Sequence, residues 1–124
     1  MTQPASPTLD ALFKRTLARQ PDALALVDPL NKQRITGQTR KRLTYAQADR
    51  AISAISAHFI ESGLPANSVI AIQLPNTIEF ALTVLAAHRA GLVVGTHTGK
   101  AAGLSQARER WRVYDVAREV QAAC

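Results

Sequence analysis

The chain has 124 residues, an apolar fraction of 47% and a net charge of +6 at neutral pH, which fits one small globular domain or a piece of a larger one. Its longest apolar stretches are interrupted by Glu79, His88 and Arg89. None of them reaches the ~20 consecutive apolar residues that a membrane span needs. We therefore expect no membrane span. The net positive charge would favour anionic partners, such as nucleic acid.

The N-terminal region predicts a helix that follows a short leader without the features of a signal peptide, so a cytoplasmic location is expected. Ser6 or Thr8 can cap the helix, and Pro21 ends it. The apolar residues recur at helical spacing and predict one buried stripe. They are Leu9, Leu12, Phe13 and Leu17.

A short strand over 23–27 and a returning strand over 43–45 enclose a polar segment, 30–42, which is interpreted as a hairpin tip or loop with a turn at 36–38. Five basic residues lie in this segment: Lys32, Arg34, Arg40, Lys41 and Arg42. They allow two interpretations, an anion-binding strip or a solvated basic loop. No aromatic side chains lie among them to stack on bases. The solvated loop is preferred, and no nucleic acid partner is expected.

The range 46–62 predicts a second helix, with Thr44 as a possible cap and Gly63 at the position that favours positive φ. Its apolar residues recur at intervals of three and four. They are Ala48, Ala51, Ile52, Ile55 and Phe59. This face is predicted to be buried.

The range 68–74 is almost wholly apolar, as is typical of a strand buried on both faces of a parallel sheet. A third helix is predicted over 78–90, capped by Asn76 or Thr77 and ended by Gly91. Its expected buried side consists of Ile78, Ala81, Leu82, Leu85 and His88. A further strand begins at 92–94, so strands and helices alternate as in an α/β protein.

The character of the sequence changes after Val94. The range 95–100 is predicted to be a loop, and 104–123 an amphipathic helix. A phosphate-binding P-loop is rejected here, because three residues instead of four separate Gly95 and Gly99, and Ala101 lacks the required hydroxyl. Cys124 is the single cysteine, so no internal disulfide is expected.

The reactive side chains form no recognisable catalytic or metal-binding pattern. Those considered are His58, His88 and His97, the acids Asp10, Asp22, Asp28, Asp49, Glu61 and Glu79, and the serines Ser53, Ser56 and Ser105. The histidines are expected at the surface or its boundary, and the serines lack a nucleophile-elbow context. No catalytic, cofactor-binding or metal-binding residue is assigned.

Three motifs in order carry a specific resemblance. Leu43-Thr44-Tyr45 is followed by the stretch from Gly63 to Asn76, with Glu79 and Phe80 in the next helix, and then by Leu85 to Val94. Their order and spacing resemble the start of the adenylate-forming (AMP-binding) superfamily, which includes acyl-CoA synthetases, luciferases and peptide synthetase adenylation domains. Leu12-Phe13 and Pro21 to Leu26 fit the same pattern, so the resemblance covers about residues 8–94.

The resemblance implies an α/β fold: a partial, mostly parallel sheet with packed helices, from the N-terminal subdomain of such an enzyme. The intact relative is an ATP-dependent acid–thiol ligase, with a role in fatty acid metabolism as one expectation. It would activate a carboxylic acid with ATP and Mg²⁺ to an acyl-adenylate and transfer it to CoA. The family's phosphate loop and later motifs match no position here. We expect this chain to be inactive alone and to need no cofactor; the alternative is a non-catalytic binding or interaction module.

The sequence is thus divided into 1–94, the start of an AMP-binding N-terminal domain, and 95–124, a tail that does not resemble the family. One hypothesis is a reading-frame change near codon 95; its rival is a genuine small protein with its own C-terminal helix. Uncovered apolar faces would favour marginal stability or self-association.

Overall fold

The computed structural model describes residues 8–96 and 112–113, which form four helices and five strands. In chain order they are α1 Leu9–Arg19, β1 Leu24–Val27, α2 Lys32–Thr36, β2 Arg42–Thr44, α3 Tyr45–Glu61, β3 Val69–Ile72, α4 Ile78–Arg89, β4 Val93–Thr96 and β5 Arg112–Val113. The α/β fold class is confirmed. The strands form two small sheets, and α3 packs against α4.

The first sheet is the antiparallel pair of β1 and β2, in which Leu24 lies opposite Thr44 and Val27 opposite Arg42. The returning strand is therefore confirmed. Between the two strands, however, the structure contains the helix α2 where a plain hairpin tip or loop was predicted. This helix ends at Gly37, whose φ of 75° suits a residue without a Cβ.

The second sheet is parallel and has the order β4-β3-β5. Val69 lies beside Val93, and Ile72 beside Thr96, so β4 continues through two residues that were predicted to lie in a loop. In the same register, Ala71 of β3 pairs with Gly95 of β4. The parallel strand expected over 68–74 is confirmed, although its paired part is shorter.

The other edge of β3 pairs with β5, which joins Ile70 to Arg112 and Ala71 to Val113. A continuous helix over 104–123 is therefore wrong at these two residues, because β3 offers them a parallel partner and Val113 is β-branched. The rest of the predicted helix, which includes Ser105, lies outside the described residues. His97, Lys100 and Cys124 also lie outside them.

The core lies between α3, α4 and β3. All five residues of the predicted α3 face are buried, and Ser56 is buried with them. On α4 the prediction was only partly right. Ile78 and Leu82 are buried, Ala81 and Leu85 are half-buried with Leu85 packed against the core, and His88 is exposed. Ala86 and Ala87, which were not predicted, are buried as well. Because α4 contacts both α3 and the parallel sheet, its buried surface is wider than one stripe, and His88 lies outside it.

Helix α1 is capped by Thr8, whose Oγ1 accepts a hydrogen bond from Ala11 N at 3.1 Å. The helix contains no fully buried residue, so the predicted buried stripe is wrong for Leu9 and Leu12. Its contact with the core is made by Phe13, whose ring packs at 5.5 Å from that of Tyr45. Leu17 is half-buried, so the half of the stripe formed by Phe13 and Leu17 is partly covered and the half formed by Leu9 and Leu12 is exposed.

Candidate functional site

Asp28 occupies the position directly after β1 and is only 2% exposed. Its Oδ1 accepts a hydrogen bond from Ile78 N at 2.9 Å, and its Oδ2 accepts one from Lys41 N at 2.8 Å. An aspartate fifty positions away therefore caps the N-terminus of α4, where a carboxylate is favoured by the helix dipole. Thr77 lies at the N-cap, one of the two predicted positions, but its side chain makes no capping hydrogen bond.

Lys32, at the start of α2, is completely buried. Its Nζ donates to Asp28 Oδ2 at 2.8 Å and to Glu79 Oε2 at 2.6 Å. The prediction of a solvated basic loop is therefore wrong for this residue. Arg34 and Arg42 are exposed as expected, but they lie in α2 and β2 and not in a loop. Lysine is almost never fully buried without a charged partner, and here two carboxylates supply that partner.

Lys41 adds a second cation to the group, with its Nζ 3.7 Å from Glu79 Oε1. We refer to Asp28, Lys32, Lys41 and Glu79 as the ion cluster. It joins β1, α2, the segment before β2 and α4, and its two carboxylates are matched by two ammonium groups. Asp28, Lys32 and Glu79 are buried, and the partly exposed Lys41 brings the net charge of the cluster to zero, which limits the cost of desolvation.

The surroundings of the cluster fix the protonation states. Burial by itself raises the pKa of Asp28, but hydrogen bonds from Ile78, Lys32 and Lys41 outweigh it, so this pKa is lowered. The same opposition lowers the pKa of Glu79, chiefly through the hydrogen bond from Lys32. Burial lowers the pKa of Lys32, but its two carboxylate partners more than compensate and raise it. All three groups are therefore charged at neutral pH.

These charge states suit a positioning role better than proton transfer. A general base works best with a pKa near the operating pH, whereas the pKa values of Asp28 and Glu79 are lowered and that of Lys32 is raised. The ion cluster fixes the N-terminus of α4 against α2 and the end of β1. We find no acid–base pair within it.

A second charged group holds the opposite end of α4. The guanidinium of Arg89 lies 2.8 Å from Asp10 Oδ1 and 2.9 Å from Asp49 Oδ1, and it donates to Ser53 Oγ at 2.8 Å. Asp10 belongs to α1, and Asp49 and Ser53 belong to α3. Arg89 therefore ties three helices together, which gives Asp10, Asp49 and Ser53 structural contacts that sequence spacing did not reveal.

A cavity of about 250 Å³ lies beside the ion cluster, between α2 and the connection from β3 to α4. Its lining residues are Ile35, Thr36, Gln38, Leu74, Pro75, Thr77 and Glu79. Most of the wall is apolar, and Glu79 is the member that the cavity shares with the ion cluster.

The other sequence candidates stay apart. His58 and His88 are exposed. This agrees with the surface position expected for the histidines, but not with a place for His88 on the buried side of α4. Across residues 8–96 and 112–113 no three His, Cys, Asp or Glu side chains are grouped as metal ligands. No helix in the same part of the chain is long and apolar enough to cross a membrane.

The ion cluster was not predicted from the sequence. Two signals were present: the i, i+4 spacing of Asp28 and Lys32, and the position of Glu79 inside an apolar helix. Neither signal reveals that residues 47 positions apart, Lys32 and Glu79, come into contact.

A sequence model described as AMP-binding enzyme matches residues 13–99. The chain belongs to this family. The match to the AMP-binding family ends at residue 99 instead of Val94, and the proposed boundary at Gly95 stays a prediction.

Two relatives of this AMP-binding chain are much longer proteins. It is 31% identical over 83 residues to glycine betaine reductase ATRR of Emericella nidulans, which covers 67% of this chain and 6% of the relative. It is 32% identical over 88 residues to a plipastatin synthase polypeptide of Bacillus subtilis, covering 71% of this chain and 3% of the relative. The chain therefore spans a small fraction of the relatives it matches.

Solved structures share the fold at low identity. The Klebsiella oxytoca NpsA N-terminal subdomain, in complex with anthranilyl-AMSN, has a TM-score of 0.75 and 17% identity, covering 93% of this chain and 32% of that chain. A Mycobacterium tuberculosis fatty acyl CoA synthetase has a TM-score of 0.65 and 19% identity, covering 81% and 18%. The fold is thus that of the N-terminal subdomain of adenylate-forming enzymes.

Proposed function

We propose that this chain is the structural start of an enzyme that activates a carboxylic acid with ATP and passes the acyl group to CoA. The observation that carries the proposal is the family match over residues 13–99. The likeness in fold to a fatty acyl CoA synthetase supports CoA as the acceptor.

The reaction proposed for the intact enzyme has two steps. A carboxylate oxygen attacks the α-phosphorus of ATP, the bond from that phosphorus to the bridging oxygen breaks, and pyrophosphate leaves. The thiolate of CoA then attacks the acyl carbon, and AMP leaves with the electron pair of the broken carbon–oxygen bond. We assign none of these steps to a residue of this chain.

The described residues do not fit a Mg²⁺ site. They lack a group of three potential His, Cys, Asp or Glu ligands, and the carboxylates of Asp28 and Glu79 are already held by lysine ammonium groups at 2.8 and 2.6 Å. The part that we propose for these residues is to hold α2, α4 and the two sheets in place.

Acid-dependent exchange of pyrophosphate into ATP tests the proposal. The full chain is assayed with a panel of carboxylic acids, beside an intact adenylate-forming enzyme as positive control. We expect exchange by the control and none above the blank by this chain. Acid-dependent exchange by the chain itself would contradict its inactivity.

Translation of the gene beyond codon 94 in the two other frames tests the proposed origin of residues 95–124. The reading-frame hypothesis expects one frame to continue with a Pro-containing strand loop and, later, a Pro-Lys-Gly loop. If neither frame does so, the hypothesis fails.

A second candidate is a non-catalytic interaction module on the same scaffold. It is favoured by Val69 and Val93, neighbours in the parallel sheet that are 38% and 47% exposed. Two results together would favour this alternative. They are no activity in the exchange assay, and a partner that binds the unaltered chain but not the Val69→Lys variant. A partner that binds the variant unchanged would argue against it.

A further inference from the structure

The segment from the end of β1 to the start of β2 is closed at its base. Val27 lies opposite Arg42 in the antiparallel sheet, and Asp28 N donates to Lys41 O at 3.0 Å. The segment, which contains α2, therefore begins and ends at the same place on the surface. We refer to residues 27–42 as the basic lobe.

The charge that the basic lobe exposes is positive. It contains five basic residues and one acid, Asp28, and this acid is buried against Lys32. The other arginines of the lobe, Arg34, Arg40 and Arg42, are exposed, and none of them forms an ion pair with a described residue. The surface of the lobe thus has three positive charges without a partner in this part of the chain.

Apolar side chains are exposed among these arginines. Leu30 is 85% exposed, more than any other large apolar side chain in the ranges that the structure describes, and Ile35 is 46% exposed. Val27 is 45% exposed and lies directly opposite Arg42, so the two side chains share one face of the sheet. The lobe therefore exposes aliphatic and cationic groups together.

This combination distinguishes between the anionic partners that a basic surface can bind. Single-stranded nucleic acid is held largely by stacking on aromatic side chains, and the lobe contains none. A bilayer with anionic lipids attracts lysine and arginine to its headgroups and accepts aliphatic side chains at the boundary with the acyl chains. The exposed side chains of the lobe match the second partner.

We propose that the basic lobe docks on the surface of a membrane that contains anionic lipids. Arg34, Arg40 and Arg42 contact the lipid phosphates, and Leu30 enters the boundary between headgroups and acyl chains. The ammonium group of Lys32 takes no part, because it is buried in the ion cluster. The contact is peripheral and reversible, and it is independent of the proposed acid activation, to which no residue of the lobe is assigned.

Flotation of the full chain with lipid vesicles tests the partner. One set of vesicles contains phosphatidylcholine mixed with phosphatidylglycerol, and the other contains phosphatidylcholine alone. Flotation is used because protein aggregates do not rise with the vesicles. We expect binding to the anionic set at least about tenfold tighter than to the neutral set, and weaker binding in high salt, since salt screens exposed charges.

Two double variants with the same net charge test the location. Arg34→Gln combined with Arg42→Gln should weaken binding to the anionic vesicles about tenfold or more, because two charges at the membrane surface are lost. Arg15→Gln combined with Arg50→Gln is the matched control, since both arginines are exposed but belong to α1 and α3. We expect the control to bind like the unaltered chain.

A second pair of variants tests the apolar contact. Leu30→Gln should weaken binding to the anionic vesicles by about threefold or more, because an aliphatic side chain no longer enters the bilayer. Ile60→Gln is its control, since Ile60 is 64% exposed on α3, outside the lobe, and it should have no effect. All the substituted side chains are exposed, so far-ultraviolet circular dichroism should show the fold unchanged.

Several results would overturn the proposal. They are equal binding to the two sets of vesicles, equal binding by the two arginine double variants, and unchanged binding by Leu30→Gln. Binding to duplex DNA without binding to the anionic vesicles would assign the basic lobe to nucleic acid and would overturn it as well. The pyrophosphate exchange assay contains no lipid, so its outcome is separate from this one.

Discussion

Lys32 shows how one side chain can hold several elements together. Its ammonium group is the only cation within hydrogen-bond distance of both buried carboxylates in the described part of the chain, at 2.8 Å from Asp28 and 2.6 Å from Glu79. Removing one partner of a buried ion group leaves the others desolvated and unpaired, and this costs more than the intact group contributes. Within the ion cluster, we therefore expect the loss of Lys32 to lower the free energy of unfolding most.

The Lys32→Met variant tests this role with a side chain of similar length. We expect the free energy of unfolding to fall by about 3–5 kcal/mol, because two buried carboxylates lose their shared partner. This is a large part of the 5–15 kcal/mol that stabilises ordinary domains. Urea unfolding followed by circular dichroism measures it, and complete loss of the folded baseline would agree with the expectation.

Two variants serve as controls for this prediction. Arg34→Met lies on the same short helix but is exposed, and it should change the free energy of unfolding by less than about 0.5 kcal/mol. Lys41→Met removes a partly exposed cation at 3.7 Å and should cost no more than about 1 kcal/mol. Equal stability of Lys32→Met and Arg34→Met would contradict a structural role for the ion cluster.

The same cluster predicts how stability depends on pH. The folded pKa values of Asp28 and Glu79 lie below their ordinary values of 3.8 and 4.5. The unfolded chain therefore binds more protons in acid, so this stabilisation is complete above pH 4.5 and is lost as the pH falls through the folded values. The pKa of Lys32 is raised above 10.5, so its contribution is present below pH 10.5 and is lost as the pH rises through the folded value.

Urea midpoints measured from pH 4.5 down into more acidic solution check the acid limb. The exposed Asp22→Asn variant should follow the unaltered chain, whereas Asp28→Asn should be less stable at neutral pH and lose less on acidification. A midpoint that stays constant as the pH falls would contradict the assignment of charged, mutually stabilised carboxylates.

At the scale of elements, both ends of α3 are set by residues that lie close to them in the chain. Thr44 Oγ1 accepts from Gln47 N at 3.2 Å, and Gln47 Oε1 accepts from Thr44 N at 2.9 Å, which forms a capping box. Gly63, with a φ of 76°, follows the other end. Both ends were predicted, because caps are read from residues a few positions apart.

Removal of the cap should destabilise the chain measurably. We expect Thr44→Ala to lower the free energy of unfolding by about 1 kcal/mol, since the N-terminus of the longest described helix loses a hydrogen bond to its backbone. Thr39→Ala, at an exposed loop threonine, is the matched control and should have little effect. Equal urea midpoints for the two variants would argue against the capping box as a stabilising feature.

At the scale of the whole molecule, apolar side chains remain uncovered. Leu9 and Leu12 on α1 are 48% and 45% exposed, and Val69 and Val93 are neighbours in the parallel sheet. Such surfaces favour association. We expect the chain to self-associate, or to unfold at modest temperature when monomeric.

Sedimentation at increasing protein concentration and thermal unfolding check this expectation together. Val69→Lys combined with Val93→Lys should shift the chain toward the monomer, because two neighbouring apolar side chains become charged. Gln33→Lys combined with Thr39→Lys is the control, since both residues are exposed and polar, so the same charge is added without removing apolar surface. A monomer that unfolds cooperatively well above about 50 °C, within the ordinary range of mesophile domains, would contradict the expectation.

The agreement between sequence and structure depends on how far apart the interacting residues are. The buried face of α3, the turn at Gly37 and the parallel strand over Val69–Ile72 were predicted, because local spacing and glycine conformation determine them. The exposure of Leu12 was not predicted, because periodicity shows that a stripe exists but not whether another element covers it.

The sequence by itself determined the class of fold and the family, since both rest on local periodicity and on motifs whose residues lie close together in the chain. Only the tertiary structure decided which charged residues are buried and which of them pair. Lys32 was expected in a solvated loop and is buried, because Glu79, which lies 47 positions later, and Asp28 reach it in the folded chain. A long-range ion pair leaves no periodic trace in a single sequence, so this cluster and the cavity beside it became visible only when the elements were packed.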